Sequence, residues 1–570
     1  MKNNIFKYYK LEPFGYKVLN MQKVRNKIFI CLSLIATPLL LSLDDPDQRY
    51  FDISKNMEIF SSVYAEINRS YVDDVNPNQL MRIGIDAMLK SLDPYTNYFP
   101  QEDIEDFQLI HTGEYGGVGA LVGSREGKLL ILMPYEGFPA QVAGLKIGDE
   151  IIKIDGLNVI GKTVNDLSSF LKGEAGSSVE ISIKRTGTTE LLNFVITREK
   201  VTIENVPYSG MVTEEIGYLK LNTFTAKAAE NVLTAVNNLK SKGAKKIIFD
   251  LRGNGGGLLD EAIKICNIFI SKNIEVVSTR GKLKEWNKTY FTSKSPSHEK
   301  IPIAVLVDEH SASASEIVSG VLQDYDRAIV IGNKTYGKGL VQGTMQTDHG
   351  SNVKVTVAKY YIPSGRCIQA LDYSQKDKNG RPIKLPDSLL VTFKTANGRK
   401  VLDGNGIYPD IEVKLDSEPA VLQNLIKKNL LFDYANEYVL LHEKIADARK
   451  FDCSNEYKNF ISWLEKKNFS FEVKSDLALK QFREILASEG IEHNLESALN
   501  TLSKDLNNAK SNDLLEFKTM INEEIEREIA ARYYLEKGIT EATFDDDKVL
   551  LKAIEILSNQ TKYTQLLSGN

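Results

Sequence analysis

The sequence predicts an α/β protein: a parallel-sheet core, a small mixed-β domain ahead of it, and helical segments at both ends. Three patterns carry that expectation. Strands and helices alternate from 201 to about 413, short strands with glycine-rich turns fill 111–200, and apolar residues recur at helical spacing in 44–110 and 414–570. A chain of 570 residues exceeds what one core holds, so these segments read as separate domains behind an N-terminal stretch, 1–43.

That stretch is a targeting signal in form. Lys17, Lys23, Arg25 and Lys27 precede the apolar run "IFICLSLIATPLLLSL" (28–43), after which "DDPDQ" turns acidic. A basic flank and a 16-residue apolar run read as an export signal; no A-x-A cleavage site follows, so an uncleaved membrane anchor is the alternative. Met21 is a second candidate start. The expected location is the cell envelope, periplasmic or secreted, with anchoring in the inner membrane through 28–43 as an option.

Composition excludes several classes. A net charge of −5 lacks the basic excess that nucleic-acid binding needs. Apart from Cys31 in the apolar run, only Cys266, Cys367 and Cys453 remain, without the spacing of a disulfide framework or zinc site. Cys266 falls on the apolar face of a helical pattern and reads as core.

In 44–110, "MEIFSSVYAEINRSYV" and "NQLMRIGIDAMLKSL" are helical, and "DPYTNYFP" breaks the pattern. From 111 to 200 come "GEYGGVGALVG", the strand "KLLILMPY", the segment "PAQVAGLKIGDEIIKIDG", the helical "VNDLSSFLKG", an alternation at Val179, Ile181 and Ile183, and the strand "LLNFVITR". This mixture looks like a PDZ domain, which adds an extended peptide to a sheet edge and holds its terminal carboxylate on loop N–H groups. Gly116, Gly117, Val118 and Gly119 would form that loop.

In 201–413, three strands, "KKIIFDL" (245–251), "IPIAVLVDE" (301–309) and "RAIVIGN" (327–333), are followed by "RGNGGG" (252–257), "HSASASE" (310–316) and "NKTYGKGLVQ" (333–342). Parallel neighbours would bring all three loops to one sheet edge, where ligand sites gather.

Ser313 and Glu316 fit a helix capping box, and Ser313 also stands where a helix N-terminus favours developing negative charge. A nucleophilic serine needs a base. Of His111, His298, His310, His349, His442 and His493, only His310 lies nearby in sequence, and it reads as a turn residue. There is no G-x-S-x-G elbow. Lys338 is the better partner: flanked by Gly337 and Gly339, it would serve as a base once burial lowers its pKa, with the amide oxygen of Gln342 orienting its amine. "GNKTYGKG" nearly spells a phosphate-binding loop, but Gly339 stands where the magnesium-holding hydroxyl belongs, and strand-like sequence follows. "LRGNGGG" would supply an oxyanion donor, and the N–H of Ala314 a second.

The segments "SLDPYTNYF", "GEYGGVGA", "GLKIGDEIIKIDG", "DLRGNGGGLLDEA", "SASASE", "TYGKGLVQ", "AKYYIPSGRCIQ" and "GNGIYPDIEV", in this order over 55–413, resemble the C-terminal processing (tail-specific) protease family. The resemblance implies a crotonase-like (ClpP-like) α/β core with an embedded PDZ domain, in an exported Ser–Lys serine endopeptidase that needs no cofactor. The family nucleophile then falls on Ser313, the base on Lys338, the orienting glutamine on Gln342, and the oxyanion donors on Ala314 and a glycine of 255–257, with Gly256 favoured. Ser311 and Ser315 become supporting hydroxyls. Implied partners are proteins or peptides with accessible, apolar, free C-termini. The rival is a non-catalytic PDZ-bearing binding or scaffold protein on the same fold. The extension from 414 is the departure from the family pattern, and it leaves homo-oligomerisation or an accessory adaptor open. Its stripes, Leu422, Leu425, Ile426 and Leu430, then Leu514, Phe517, Ile521, Ile525 and Ile529 ending at a Gly538 C-cap, read as packing faces.

Overall fold

The computed structural model describes residues 46–101, 109, 111–384, 386–471 and 473–569. The expected signal or anchor at 28–43 lies outside them, and among the described residues no helix is long and apolar enough to cross a membrane. The chain divides into two units, Met1–Ala87 and Met88–Asn570. Helix α1 (Pro46–Ser70) lies in the first, and α2 (Pro77–Lys90) begins there and ends in the second; its start is fixed by Asn76, whose side chain accepts the Gln79 N–H, and Pro77 occupies the first helical position.

In the second unit, the expected sequence break holds a short strand, β1 (Asn97–Phe99), before β2 (Glu114–Gly117), β3 (Ala120–Arg125), β4 (Lys128–Pro134) and β5 (Glu150–Ile154). Helix α3 (Val164–Leu171), opened by a capping box at Thr163 and Asp166, precedes β6 (Ser178–Lys184), β7 (Leu192–Thr197) and β8 (Glu199–Thr202). Strands β3-β4-β5-β6-β7 form one antiparallel sheet with β3 at its edge, and β2 pairs with β8. The alternation at Val179, Ile181 and Ile183 points all three into this domain's core.

The core sheet follows: β9 (Tyr208–Met211), β10 (Ile216–Lys220), α4 (Ala228–Ser241), β11 (Lys246–Asp250), α5 (Leu259–Phe269), β12 (Glu275–Gly281), β13 (Lys288–Phe291), β14 (Ile303–Val307), α6 (Ala314–Asp324), β15 (Ile329–Gly332), β16 (Leu340–Gln346), β17 (Asn352–Tyr361) and β18 (Ile411–Glu412). Strands β10-β11-β14-β15-β18 are parallel neighbours in that order, and β9 closes one edge antiparallel. The three loops singled out in the sequence therefore leave the carboxyl ends of adjacent strands. A second, antiparallel sheet, β1-β17-β12-β13 with β16 also on β17, carries the lysine loop's continuation.

The core strands are apolar on both faces because both are covered. Ile247, Phe249, Ile303, Val305 and Val330 face α4, α5 and α6. Ile248, Ala304, Leu306, Ile329 and Ile331 face the C-terminal segment. That segment includes α7 (Leu430–Leu441), α8 (Lys518–Ala542), α9 (Lys548–Ser558) and α10 (Gln560–Ser568); Val549, Leu550, Ala553, Ile556 and Leu557 of α9 lie on the sheet. Leu550→Ala should therefore lower the unfolding free energy by about 2–5 kcal/mol, read by urea denaturation.

The stripe at Ile521, Ile525 and Ile529 is buried as expected. Gly538, however, is not a C-cap: α8 continues to Ala542, with a break at Leu535 (φ 51°, ψ −140°). Gly538 serves close packing beyond that break, where a Cβ would lie 2.4 Å from the carbonyl oxygen of Ala530.

Candidate active site

Ser313 occupies the turn between β14 and α6, with φ 56° and ψ −112°, a conformation rare for a residue with a side chain. Ser311, Ala312, Ala314 and Ser315 around it are buried, while Ser313 is only half-buried. Its hydroxyl makes no cap hydrogen bond. The strained turn thus presents the central serine of the three.

The other two serines stitch this turn to the glycine turn. Ser311 Oγ donates to the carbonyl of Leu251 at 2.8 Å, and Ser315 Oγ donates to that of Asn254 at 2.9 Å. The N–H of Ala312 also donates to the Asn254 carbonyl, at 3.0 Å. Gly256, at φ 98°, sits so close that a Cβ there would lie 2.7 Å from the Ala312 carbonyl oxygen and 2.9 Å from Ser313 Cβ. Gly256→Ala should displace one turn from the other, with turnover falling about a hundredfold for an ångström-scale misplacement; cleavage assays paired with thermal melts would check it.

The N–H of Gly256 donates to Asn254 Oδ1 at 2.8 Å. The N–H groups of Gly255, Gly257 and Ala314 donate to no acceptor among the described residues. Donors free to meet an anion therefore flank Gly256 on either side and stand at Ala314.

Glu316, read from the sequence only as a cap partner, ties the serine turn to the lysine loop. Its buried carboxylate accepts four hydrogen bonds: Ser313 N–H (2.8 Å) and Lys338 N–H (2.8 Å) at Oε2, and Gly337 N–H (2.7 Å) and Thr335 Oγ1 (2.6 Å) at Oε1. Burial pushes its pKa up, against the pull of those donors. Tyr360, from "AKYYIPSG", adds a second tie: its hydroxyl lies 2.7 Å from the Lys338 carbonyl oxygen and 3.1 Å from that of Ser313.

Lys338 is half-buried, and its amine lies 4.0 Å from the centroid of the Tyr95 ring. Burial, and then the charge of Lys354, pull its pKa down to about 8. Among the described residues, neither Lys338 Nζ nor Ser313 Oγ has a hydrogen-bond partner. Strand β16 begins at Leu340, just beyond Lys338, so no helix N-terminus follows to cradle a phosphate.

Gln342 sits at a register shift between Val341 and Gln342 where β16 meets β17. Its Nε2 donates to Thr356 Oγ1 at 3.2 Å, and no hydrogen bond joins it to Lys338. Gln342 nevertheless lines the same cavity of about 570 Å³ as Ser313, Ala314, Lys338 and Gly255–Gly257. His111 and Lys354 also line it, whereas His310 is an exposed turn residue whose N–H donates to Asp308. Among the described residues no group of three or more His, Cys, Asp or Glu is placed to hold a metal.

In the smaller domain, Gly116 and Gly117 pair with Lys200 and Glu199. Gly117 bridges antiparallel to Lys172 at the end of α3, and just beyond it the N–H of Gly119 donates to no acceptor among the described residues. It stands at the entrance to edge strand β3, beside α3.

Three family models match the chain: "Peptidase family S41" over 215–374, "PDZ domain" over 131–185, and "Probable PDZ-protease, C-terminal helical domain" over 421–557. The carboxy-terminal-processing protease of Bartonella bacilliformis is 34% identical over 348 residues, covering 60% of this chain and 79% of that protein. Carboxy-terminal processing protease CtpA of Bacillus subtilis is 35% identical over 331 residues, covering 57% and 70%. A solved photosystem II D1 C-terminal processing protease aligns at 25% identity and a TM-score of 0.33, over 62% of this chain and 92% of that one.

Proposed function

The chain belongs to the carboxy-terminal processing proteases, PDZ-containing serine-type endopeptidases of peptidase family S41, and from that premise we propose that Ser313 and Lys338 perform the hydrolysis. The observation that carries this is the shared cavity: a half-buried serine on a strained turn, a lysine whose pKa is drawn down to about 8, and unpaired N–H groups meet there.

In the proposed mechanism, neutral Lys338 leaves the Tyr95 ring and takes the Ser313 proton as Oγ attacks the scissile carbonyl. The Ala314 N–H and a donor of the glycine turn stabilise the tetrahedral oxyanion. Gly256 serves as that donor if Asn254 releases its N–H; Gly255 and Gly257 need no such exchange. Lys338 then returns the proton to the leaving amine, and water attacks the acyl-enzyme with Lys338 as base. Gln342 orients the amine by turning its amide oxygen from the Thr356 side. No cofactor takes part.

The substrate is a protein with an accessible, apolar, unstructured C-terminus. The loop Gly116–Gly119 holds its terminal carboxylate on its N–H groups, with that of Gly119 free to donate, while the peptide adds to the β3 edge. Export to the cell envelope, by 28–43 as signal or anchor, places the enzyme with such substrates.

Amidating the C-terminus of an unstructured protein substrate tests this recognition. KM should rise about tenfold or more, the cost of leaving loop donors without their charged acceptor, with kcat little changed. Equal KM for the free acid and the amide would remove the carboxylate loop from the account.

A further inference from the structure

The C-terminal helices do more than cover a sheet face. Asp547 stands at the start of α9, and its Oδ1 accepts the N–H groups of Val549 and Leu550, each at 3.0 Å. The same carboxylate forms a two-point pair with Arg252, Oδ1 to Nη1 at 3.0 Å and Oδ2 to Nη2 at 2.6 Å. Arg252 is the first residue of the glycine turn. Its guanidinium also holds Asp250, with Nη2 to Oδ2 at 2.6 Å and Nε to Oδ1 at 3.0 Å, and Tyr218 Oη donates to Asp250 Oδ2 at 2.7 Å. Asp547 is thus the only acidic partner that Arg252 draws from outside the catalytic sheet among the described residues.

We infer that Asp547 is a positioning residue for catalysis: through Arg252 it fixes the turn that carries the oxyanion donors. The next two steps of that turn are pinned from within the core: Gly253 N–H by Asp308, and Asn254 by Leu221, Ala312 and Ser315. Arg252 is the step pinned from both sides, by Asp250 of the core and by Asp547 of the C-terminal extension. A carboxylate held at two points by a guanidinium fixes angle as well as distance, which a single contact does not. A packing role alone accounts for the cap of α9 by Oδ1, but not for Oδ2 meeting Arg252. The site as drawn by the sequence, all within 201–413, is therefore incomplete without the extension.

This rests on Ser313 being the nucleophile, and the test separates the two claims. Asp547→Asn keeps an oxygen for the α9 cap but sets an amide N–H₂ against the guanidinium. The full chain carrying it should stay folded, with kcat down about tenfold to a hundredfold and KM unchanged. Arg252→Gln should lower kcat similarly, and the double variant should be no worse than Arg252→Gln alone. Asp547→Glu should recover part of the loss. A wild-type kcat in folded Asp547→Asn, or losses that simply add in the double variant, would overturn the positioning role. Cleavage that survives Ser313→Ala would instead overturn the nucleophile assignment, and the coupling with it.

Discussion

Ser313→Ala is expected to abolish peptide cleavage, a loss on the order of a millionfold on the scale of serine-hydrolase nucleophile removals. Lys338→Ala should cost about 10²–10⁴-fold, the range for removing a positioned general base. The unpaired N–H groups of Ala314, Gly255 and Gly257 remain in both variants, and the two differ in whether a nucleophile remains to use them. Without the serine no serine-derived tetrahedral oxyanion forms for them to stabilise; without the lysine, the serine still attacks weakly. The pH dependence follows from the sign of the lysine shift. Only neutral Lys338 accepts a proton, and its pKa lies at about 8, so kcat/KM should rise with pH through about 8, with about a tenth of the enzyme competent at pH 7. Lys354→Met removes one of the two causes of that shift and should move the profile to higher pH. Cleavage of an unstructured substrate across pH 6–10 reads all three.

Glu316→Ala should be the most damaging change outside the reacting pair. It strips the acceptor from Ser313 N–H, Gly337 N–H, Lys338 N–H and the Thr335 hydroxyl at once. Each buried donor left unsatisfied costs about 1–3 kcal/mol, a sum that rivals the whole stability of a domain. Both loops to which the proposed mechanism assigns the chemistry lose their common anchor, so turnover should fall about a hundredfold even in whatever fraction stays folded. Glu316→Gln discriminates fold from function. It preserves volume and one acceptor oxygen, but turns an N–H₂ toward backbone donors. It should melt closer to wild type than Glu316→Ala, yet still show depressed kcat. If Glu316→Gln were fully active, the clamp would matter for folding only.

The parts of this site that lay in the sequence are those whose spacing is set by local structure. A buried strand ending in "RGNGGG", another ending in "HSASASE" and a third ending in "NKTYGKG" need only a parallel sheet to converge, and strand–helix alternation announces such a sheet. The P-loop-like stretch was separable because strand-like residues follow it, as β16 does. What the sequence hid depends on long-range packing. Glu316 looked like half of a cap because its other three donors come from residues 335–338, across the sheet edge. Tyr95, Tyr360 and Lys354 sat inside or beside quoted motifs, but nothing local says that they turn toward Lys338. His111 is distant from Ser313 in sequence and shares its cavity, whereas His310, three residues away, faces solvent. The acidic, leucine-rich C-terminus offered a helical stripe and no chemistry, since Asp547 acquires its role only when α9 lies on the sheet. A glycine near the close of an apolar stripe suggests a C-cap at Gly538, whereas the break falls three residues earlier, at Leu535.

Covalent labelling by a fluorophosphonate tests the central claim most directly. The full chain would be reacted across pH 6–10, the adduct mapped by peptide mass, and the rate compared with that of Lys338→Ala. The account predicts one adduct, on Ser313, forming at a rate that climbs through about pH 8 in the unchanged protein and stays low and flat in the lysine variant. An adduct on another residue, or a Lys338→Ala protein labelled at the unchanged rate with the same pH profile, would contradict it.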